Sequence, residues 1–276
     1  MTPPPRFARY VALGDSSTEG LDDPDGVGGY RGWADRLAEA VAAHQGEVAY
    51  ANLAVRGRIA RQIRAEQLDA AVALHPDLAT VVAGMNDLLR ARFDPRAVAA
   101  EVEAMQRALV DRGAVVLTLT LPDISRHLAI APVARRMSAR IHALNDELRR
   151  AAAASGARLL DLAVHALASD PRLWSHDRLH ANADGHARTA AGLAQLLGLP
   201  GADDAWLAPL PPPPATPLRA QLVASARWGR DYFVPWLWRR ARDRTTGDHR
   251  SAKRPTLTVL RPPAQRRVAP CGVPSP

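Results

Sequence analysis

The 276-residue sequence predicts an α/β fold: a five-stranded parallel sheet between two layers of helices, with a basic C-terminal appendage. Two observations lead there. Apolar runs of strand length recur at 8–13, 48–53, 78–83, 114–121 and 158–162, and stretches with apolar residues three and four apart separate them. Helices between successive strands make crossover connections, and crossovers lay the strands parallel with helices on both faces.

The first run, Ala-Arg-Tyr-Val-Ala-Leu at 8–13, stops at Gly14, as a buried strand feeding a tight loop does. From Arg31 to His44, Trp33, Leu37, Ala40 and Val41 keep a helical spacing. Strand Val48 to Leu53, helix Ile59 to Leu74, strand Leu78 to Ala83 and helix Pro95 to Val110 follow. Next come strand Ala114 to Leu121, helix Val133 to Ala154, strand Arg158 to Leu162, a loop, and a closing helix over Asp184 to Leu197. The expected architecture is a three-layer α/β/α sandwich. In such sheets ligands bind outside the carboxyl ends of the strands, so the chemistry belongs just after Leu13, Leu53, Ala83, Leu121 and Leu162.

Charge divides the chain. Residues 1–200 hold 23 Arg against 23 Asp plus Glu, so the whole net charge of +8 lies in the tail, with four of the six Trp. A basic tail on a neutral body limits any nucleic-acid contact to weak, unspecific attraction. The single Cys271 excludes an intrachain disulfide framework. The N-terminus reads Met-Thr-Pro-Pro-Pro-Arg with no apolar segment behind it, and no stretch has the length of a membrane span, so a cytoplasmic location is expected.

Four polar constellations stand at the strand ends. Gly14-Asp15-Ser16-Ser17 follows the first strand, and Asn52-Leu-Ala-Val-Arg-Gly57 the second. Gly84-Met85-Asn86-Asp87 follows the third. Trp174-Ser175-His176-Asp177-Arg178-Leu179-His180 lies beyond the fifth. Each alone reads as an ordinary turn or helix cap. A Ser nucleophile, however, needs a base, and that base needs an acceptor to fix its tautomer. Asp177 and His180, three apart, supply both.

Taken together, in the order Ser, Gly, Asn, Asp-x-x-His, these motifs resemble the SGNH (GDSL-like) hydrolase family, over about residues 8–197. The resemblance implies a flavodoxin-like sandwich and a serine ester hydrolase working without a cofactor. It implies Ser16 as nucleophile, His180 as general base and Asp177 as its partner. The oxyanion hole would comprise the backbone N–H groups of Ser16 and Gly57 and the side-chain amide of Asn86. Asp15 and Asp87 are expected to brace these loops, and Ser17 to be a bystander. Ala181 departs from the Pro that many members carry after the histidine. Members act on lipid esters, thioesters, acetylated sugars and aryl esters, and some transfer acyl groups, so a carbohydrate O-deacetylase or an acyltransferase on the same residues stays open.

Other chemistries fit less well. His176, His180 and His186 with Asp177 offer a candidate metal cluster, but the loop-like flanks argue against it, and no metal is expected. There is no Gly-x-Ser-x-Gly elbow, phosphate-binding Gly-rich loop with Lys, or Ser-x-x-Lys pair. The loop 122–132, with Ile124, His127, Leu128 and Ile130, and the pair Met85 and Leu88 are candidates to line an acyl pocket or simply to pack. Arg58 is expected to be exposed.

The hydrolase domain is expected at 1–200 and a stiff Pro-rich linker at 201–217. The Trp/Arg-rich segment 218–244 is expected to fold back on the domain, weak contact with an anionic membrane being the alternative. A basic tail without structure is expected at 245–276. A second class of function, an anionic-surface-binding scaffold using that tail, is the competing reading.

Overall fold

The computed structural model describes residues 5–128, 130–212, 217, 219, 223, 226–235, 238 and 245–262. Six strands form one sheet: β1 (Arg9–Leu13), β2 (Val48–Asn52), β3 (Leu78–Val81), β4 (Val115–Leu119), β5 (Arg158–Leu160) and β6 (Arg254–Leu260), in the order β5-β4-β3-β1-β2-β6. The first five are parallel and β6 is antiparallel to β2. The helices are α1 (Ser16–Glu19), α2 (Gly32–Gln45), α3 (Ala60–Ala73), α4 (Met85–Leu88), α5 (Pro95–Val110), α6 (Ala131–Ser155) and α7 (Ala183–Leu197).

The chain runs outward from β1 to β2, then returns across β1 to β3, β4 and β5. Right-handed crossovers in opposite directions put helices on opposite faces. Accordingly α2 packs with α7, while α3 packs with α5 and α5 with α6. The reversal also opens a crevice between the carboxyl ends of β1 and β3, the place where sheets of this kind take ligands.

Each helix forms for local reasons. In α5, Asp94 caps the N-terminus by accepting from the N–H groups of Arg96 and Ala97, Pro95 opens the first turn, and Val98, Val102, Met105 and Leu109 are buried along one face. In α7, Asn182 is the cap, accepting from Gly185 N–H at 3.0 Å. The core is continuous across both faces of the sheet, with Tyr10 and Tyr50 stacked at 4.9 Å and fully buried.

The five-stranded expectation is corrected by the sixth strand, and so is the expectation that the tail from 245 onward lacks structure. In β6, Arg254, Leu257 and Leu260 are half-buried and the residues between them exposed, and those two leucines pack on the core. Burial here repeats every three residues and not every two, and the flanks are rich in Arg and Pro, so no strand alternation marks the segment in the sequence. Residues 213–216 of the linker, 263–276 of the tail and many of 218–244 lie outside the described residues. Among the described residues no helix is long and apolar enough to cross a membrane.

Two buried amides fix the strand ends. Gln67 of α3 accepts from Gly14 N–H and donates to Gly14 C=O, both at 2.9 Å, and Asn145 of α6 does the same to Leu121, both at 2.8 Å. Where β1 and β4 run out of ladder partners, these side chains replace the water the backbone would otherwise need. Gln67→Ala leaves the Gly14 N–H unpaired in the core and its carbonyl with only the Val55 N–H, at 3.3 Å, and urea unfolding is expected to report a loss of about 2–3 kcal/mol. A loss below about 1 kcal/mol would rule out the clamp.

Candidate active site

Gly14 ends β1, Asp15 caps α1 by accepting from Ser17 N–H at 3.0 Å, and Ser16 is therefore the first residue of that helix. On the other side, residues 174–181 form a tight hairpin. Trp174 and Ala181 bridge, and Ser175 N–H donates to His180 C=O at 2.8 Å. The Asn182 cap of α7 then sets where His180 stands. Loop and helix start bring the imidazole to Ser16 across 164 residues of chain: Ser16 Oγ donates to His180 Nε2 at 2.8 Å, and His180 Nδ1 donates to Asp177 Oδ2 at 2.5 Å.

Asp177 Oδ1 accepts from the N–H groups of Leu179 and His180 at 2.9 and 3.0 Å. Burial alone would raise the Asp177 carboxyl, but the hydrogen bonds and charge of His180 hold it well below the usual carboxylate range. For His180, burial works to lower the imidazole, yet the bond and charge of Asp177, with the charges of Asp22 and Asp15, push it above its ordinary 6.5. The arrangement can take a proton from the serine hydroxyl and hold the resulting imidazolium.

The three expected donors lie on adjoining loops. Among the described residues the backbone N–H groups of Ser16 and Gly57 have no hydrogen-bond acceptor. Asn86 Nδ2 donates to Asp15 Oδ2 at 3.1 Å and to Arg58 C=O at 3.0 Å, so its amide ties the first loop to the second. Asp87 Oδ2 accepts from Ala60 N–H at 3.0 Å at the start of α3. Burial raises both acids, Asp87 to about 6. Arg58 is ion-paired to Glu66 at 2.7 Å with a side chain 16% exposed, which corrects the expectation of a free surface arginine.

Sequence reading passed over Asp22, Ser175 and Trp228. The Ser175 hydroxyl lies between two carboxylates, 2.6 Å from Asp22 Oδ2 and 2.7 Å from Asp177 Oδ1, with one proton to offer them. Asp22 Oδ2 is 3.9 Å from His180 Nδ1. Trp228 Nε1 donates to the Asp177 carbonyl at 2.8 Å, and the Arg178 guanidinium covers its ring at 5.0 Å. Apart from the Ser175–Asp177 bond, these contacts join distant segments, so position in sequence carries no sign of them.

The histidine cluster is not assembled. His186 Nδ1 accepts from Trp33 N–H at 3.2 Å and its Nε2 donates to Leu21 C=O at 3.0 Å, while His176 is exposed. Asp22, Asp177 and His180 do bring one ligand atom each within 4.8 Å of one another, but the His180 and Asp177 atoms are engaged in the bonds above.

A cavity of about 100 Å³ opens at Ser16 and runs beneath the start of α7. Val82, Leu119, Leu121, Leu162, Leu173 and Trp206 line it. Its inner polar groups are satisfied internally: the two His186 nitrogens as above, Thr189 by Gly185 C=O, and Arg188 Nη1 by the carbonyls of Trp206 and Ala208. Met85 lines the cavity and Leu88 is core. Among the described residues of the 122–132 loop only Pro122 reaches it. Ile124 is buried in the core, and the two His127 nitrogens each lie 3.2 Å from a carbonyl oxygen, of Arg178 and of Ser169, the protonated one donating.

A serine hydroxyl, an imidazole and a carboxylate in one hydrogen-bonded line at the carboxyl edge of a parallel sheet define the class of serine hydrolases. The chain belongs to the GDSL-like Lipase/Acylhydrolase family, whose model matches residues 12–188, and it is an ester-hydrolysing enzyme of that class. Its fold is similar to that of a catalytic mutant of an acetylxylan esterase from Geobacillus stearothermophilus (16% identity, 74% of this chain and 100% of that chain, TM-score 0.60). It is also similar to the lipase/acylhydrolase from Enterococcus faecalis (21%, 69% and 96%, TM-score 0.56). An alpha/beta hydrolase enzyme from the metagenome of Lake Arreo, Spain, is a third (23%, 70% and 95%, TM-score 0.54). At these identities the likeness is one of fold. No curated protein matches the chain.

His186 gives the site region an acid sensitivity. Burial lowers its imidazole to about 4. Between that value and the unfolded 6.5 the unfolded chain binds the extra proton, so stability is present above 6.5 and is lost as pH falls towards 4, by about 3 kcal/mol in all. His186→Gln offers both an acceptor and a donor without titrating. Its unfolding free energy is expected to fall less steeply from pH 7 to 4.5 than that of the wild type, and equal slopes would acquit His186.

Proposed function

We propose that the protein is a serine esterase that cleaves esters of aliphatic acyl groups through an acyl-Ser16 intermediate. The observation that carries this reading is the Ser16–His180–Asp177 line, at 2.8 and 2.5 Å, standing at the mouth of an apolar cavity.

Ser16 Oγ attacks the ester carbonyl carbon while His180 Nε2 takes the hydroxyl proton. Asp177 keeps the imidazole in the tautomer with its proton on Nδ1 and steadies the imidazolium. The oxyanion receives the N–H groups of Ser16 and Gly57, which have no other acceptor among the described residues, and Asn86 once its amide loosens from Asp15 or Arg58. The tetrahedral species collapses, the C–O bond to the alcohol breaks, and His180 returns its proton to the departing oxygen. Water then repeats the sequence on the acyl-enzyme, freeing the acid.

The acyl part belongs in the cavity. The alcohol must leave while the acyl group is still bonded to Ser16, so the inner space suits the group that stays and the mouth the group that goes. Walls of hydrocarbon with internally satisfied polar groups favour a methylene chain over a hydroxylated sugar. Similarity to an acetylxylan esterase makes removal of acetyl groups from carbohydrate the second reading. Acyl transfer would need an alcohol in place of the second-step water, and both reactions share the first half.

On p-nitrophenyl esters, kcat/KM is expected to climb from acetate to hexanoate, by up to about fourfold per methylene as each is buried, and to fall for palmitate. Trp206→Ala is expected to move the optimum to longer chains. A maximum at acetate would favour the deacetylase reading.

Ser16→Ala is expected to abolish hydrolysis and labelling by a fluorophosphonate, and retention of activity would overturn the nucleophile. The acid limb of kcat/KM is expected above pH 6.5, because a neutral His180 is required and its neighbours favour the protonated form. Asp177→Asn should displace that limb downward and cut kcat by about 10⁴. Asn86→Ala should cost about 10² to 10³ in kcat.

A further inference from the structure

The family model ends at residue 188, yet a segment more than fifty residues further on touches the loop that carries Gly57. We propose that residues 245–260 form a strap that positions the Gly57 N–H for the oxyanion, with Thr245, Gly247, Asp248 and Lys253 as positioning residues. The proposal rests on the acyl-Ser16 reading above and adds to it a part of the chain outside the matched domain.

Gly57 follows β2 at the end of a short loop and has φ +79°, a left-handed conformation that favours glycine. A loop holding such a residue needs restraint from both sides. From the body, Glu19 accepts from Arg56 N–H at 2.9 Å and pairs with its guanidinium, both side chains being buried. From the tail, Gly247 lies against the Arg56 carbonyl so closely that a Cβ there would overlap the oxygen, and the Thr245 side chain lies over Gly57, 2.8 Å from where a Cβ would stand.

The strap is itself well fixed. Asp248 folds residues 245–248 into a turn, accepting from Thr245 N–H at 2.9 Å and from Thr245 Oγ at 2.8 Å, and it lies 4.0 Å from Arg58. Lys253, the only lysine of the chain, reaches into the body to donate to the carbonyls of Tyr30 and Arg31 at 2.8 and 3.0 Å and to pair with Asp35 at 3.0 Å. Strand β6 then pairs with β2, the strand from which the Gly57 loop departs. One segment therefore holds the loop at its base through the sheet and at its tip through Gly247 and Thr245. Misplacing a reacting group by about 1 Å costs on the order of 10² in rate, so a strap of this kind acts on turnover through position.

The test uses the full chain and p-nitrophenyl butyrate, with active sites counted by fluorophosphonate titration and folding followed by thermal unfolding. Gly247→Val forces the strap off the Arg56 carbonyl and is expected to lower kcat per titrated site by about 10- to 100-fold with KM within about threefold. Asp248→Ala, at a partly exposed turn position, opens the turn gently and should lower kcat per site by about 3- to 10-fold, and Asp248→Asn should restore part of it. A merely structural segment would instead reduce the number of titratable sites and the unfolding midpoint while leaving turnover per site intact. Turnover per site within twofold of wild type in Asp248→Ala, or in a foldable Gly247→Val, overturns the strap. A wild-type protein that is neither labelled nor active would overturn the esterase reading itself, and with it the strap.

Discussion

Asp15 is a carboxylate buried to 2% exposure at the meeting point of three loops, and the site is organised around it. One oxygen accepts the Ser17 N–H and so starts the helix that begins with Ser16; the other accepts from Asn86, whose amide also grips Arg58. Burying an acid is costly unless its lone pairs are used. That cost makes the arrangement specific, because a loop shifted by a residue would leave the carboxylate unpaired. The parallel sheet delivers the loops to one edge, and Asp15 turns proximity into register.

The opposite half of the site is held by different means. His180 is placed by a two-sided hairpin and by the Asn182 cap, and its orientation is set by Asp177, whose other oxygen is saturated by backbone N–H groups. The two halves meet through the Ser16–His180 bond, while His186, six residues further along the chain, joins α7 to α2. The proposed chemistry and the packing thus fall to different histidines of one segment.

Much of this was legible in the sequence because periodicity reports burial and strand ends report chemistry. The five parallel strands show as apolar runs, and Ser16, Gly57, Asn86, Asp177 and His180 stand where the topology puts ligand-binding loops. What stayed hidden depends on contact between distant segments. Ser175 and Asp22 are ordinary loop residues until the hairpin folds over residue 22, and Trp228 is one aromatic among several until it meets the Asp177 carbonyl. Strand β6 was obscured by its basic surroundings, and the cavity by being lined from six or more separate elements. The 122–132 loop looked apolar enough to form that lining, but Ile124 is used by the core and His127 by two carbonyls.

The sixth strand also sets a timetable for the chain. Tyr50 of β2 pairs with Thr258, 208 residues later, so among the described residues the outer edge of β2 has no strand partner until residue 258 has been made. At ordinary rates of synthesis that interval is roughly 10–40 s. An open edge of unpaired N–H and C=O groups is a template for a strand from a neighbouring nascent chain. Until β6 arrives the edge is open to pairing of that kind, and β6 closes it.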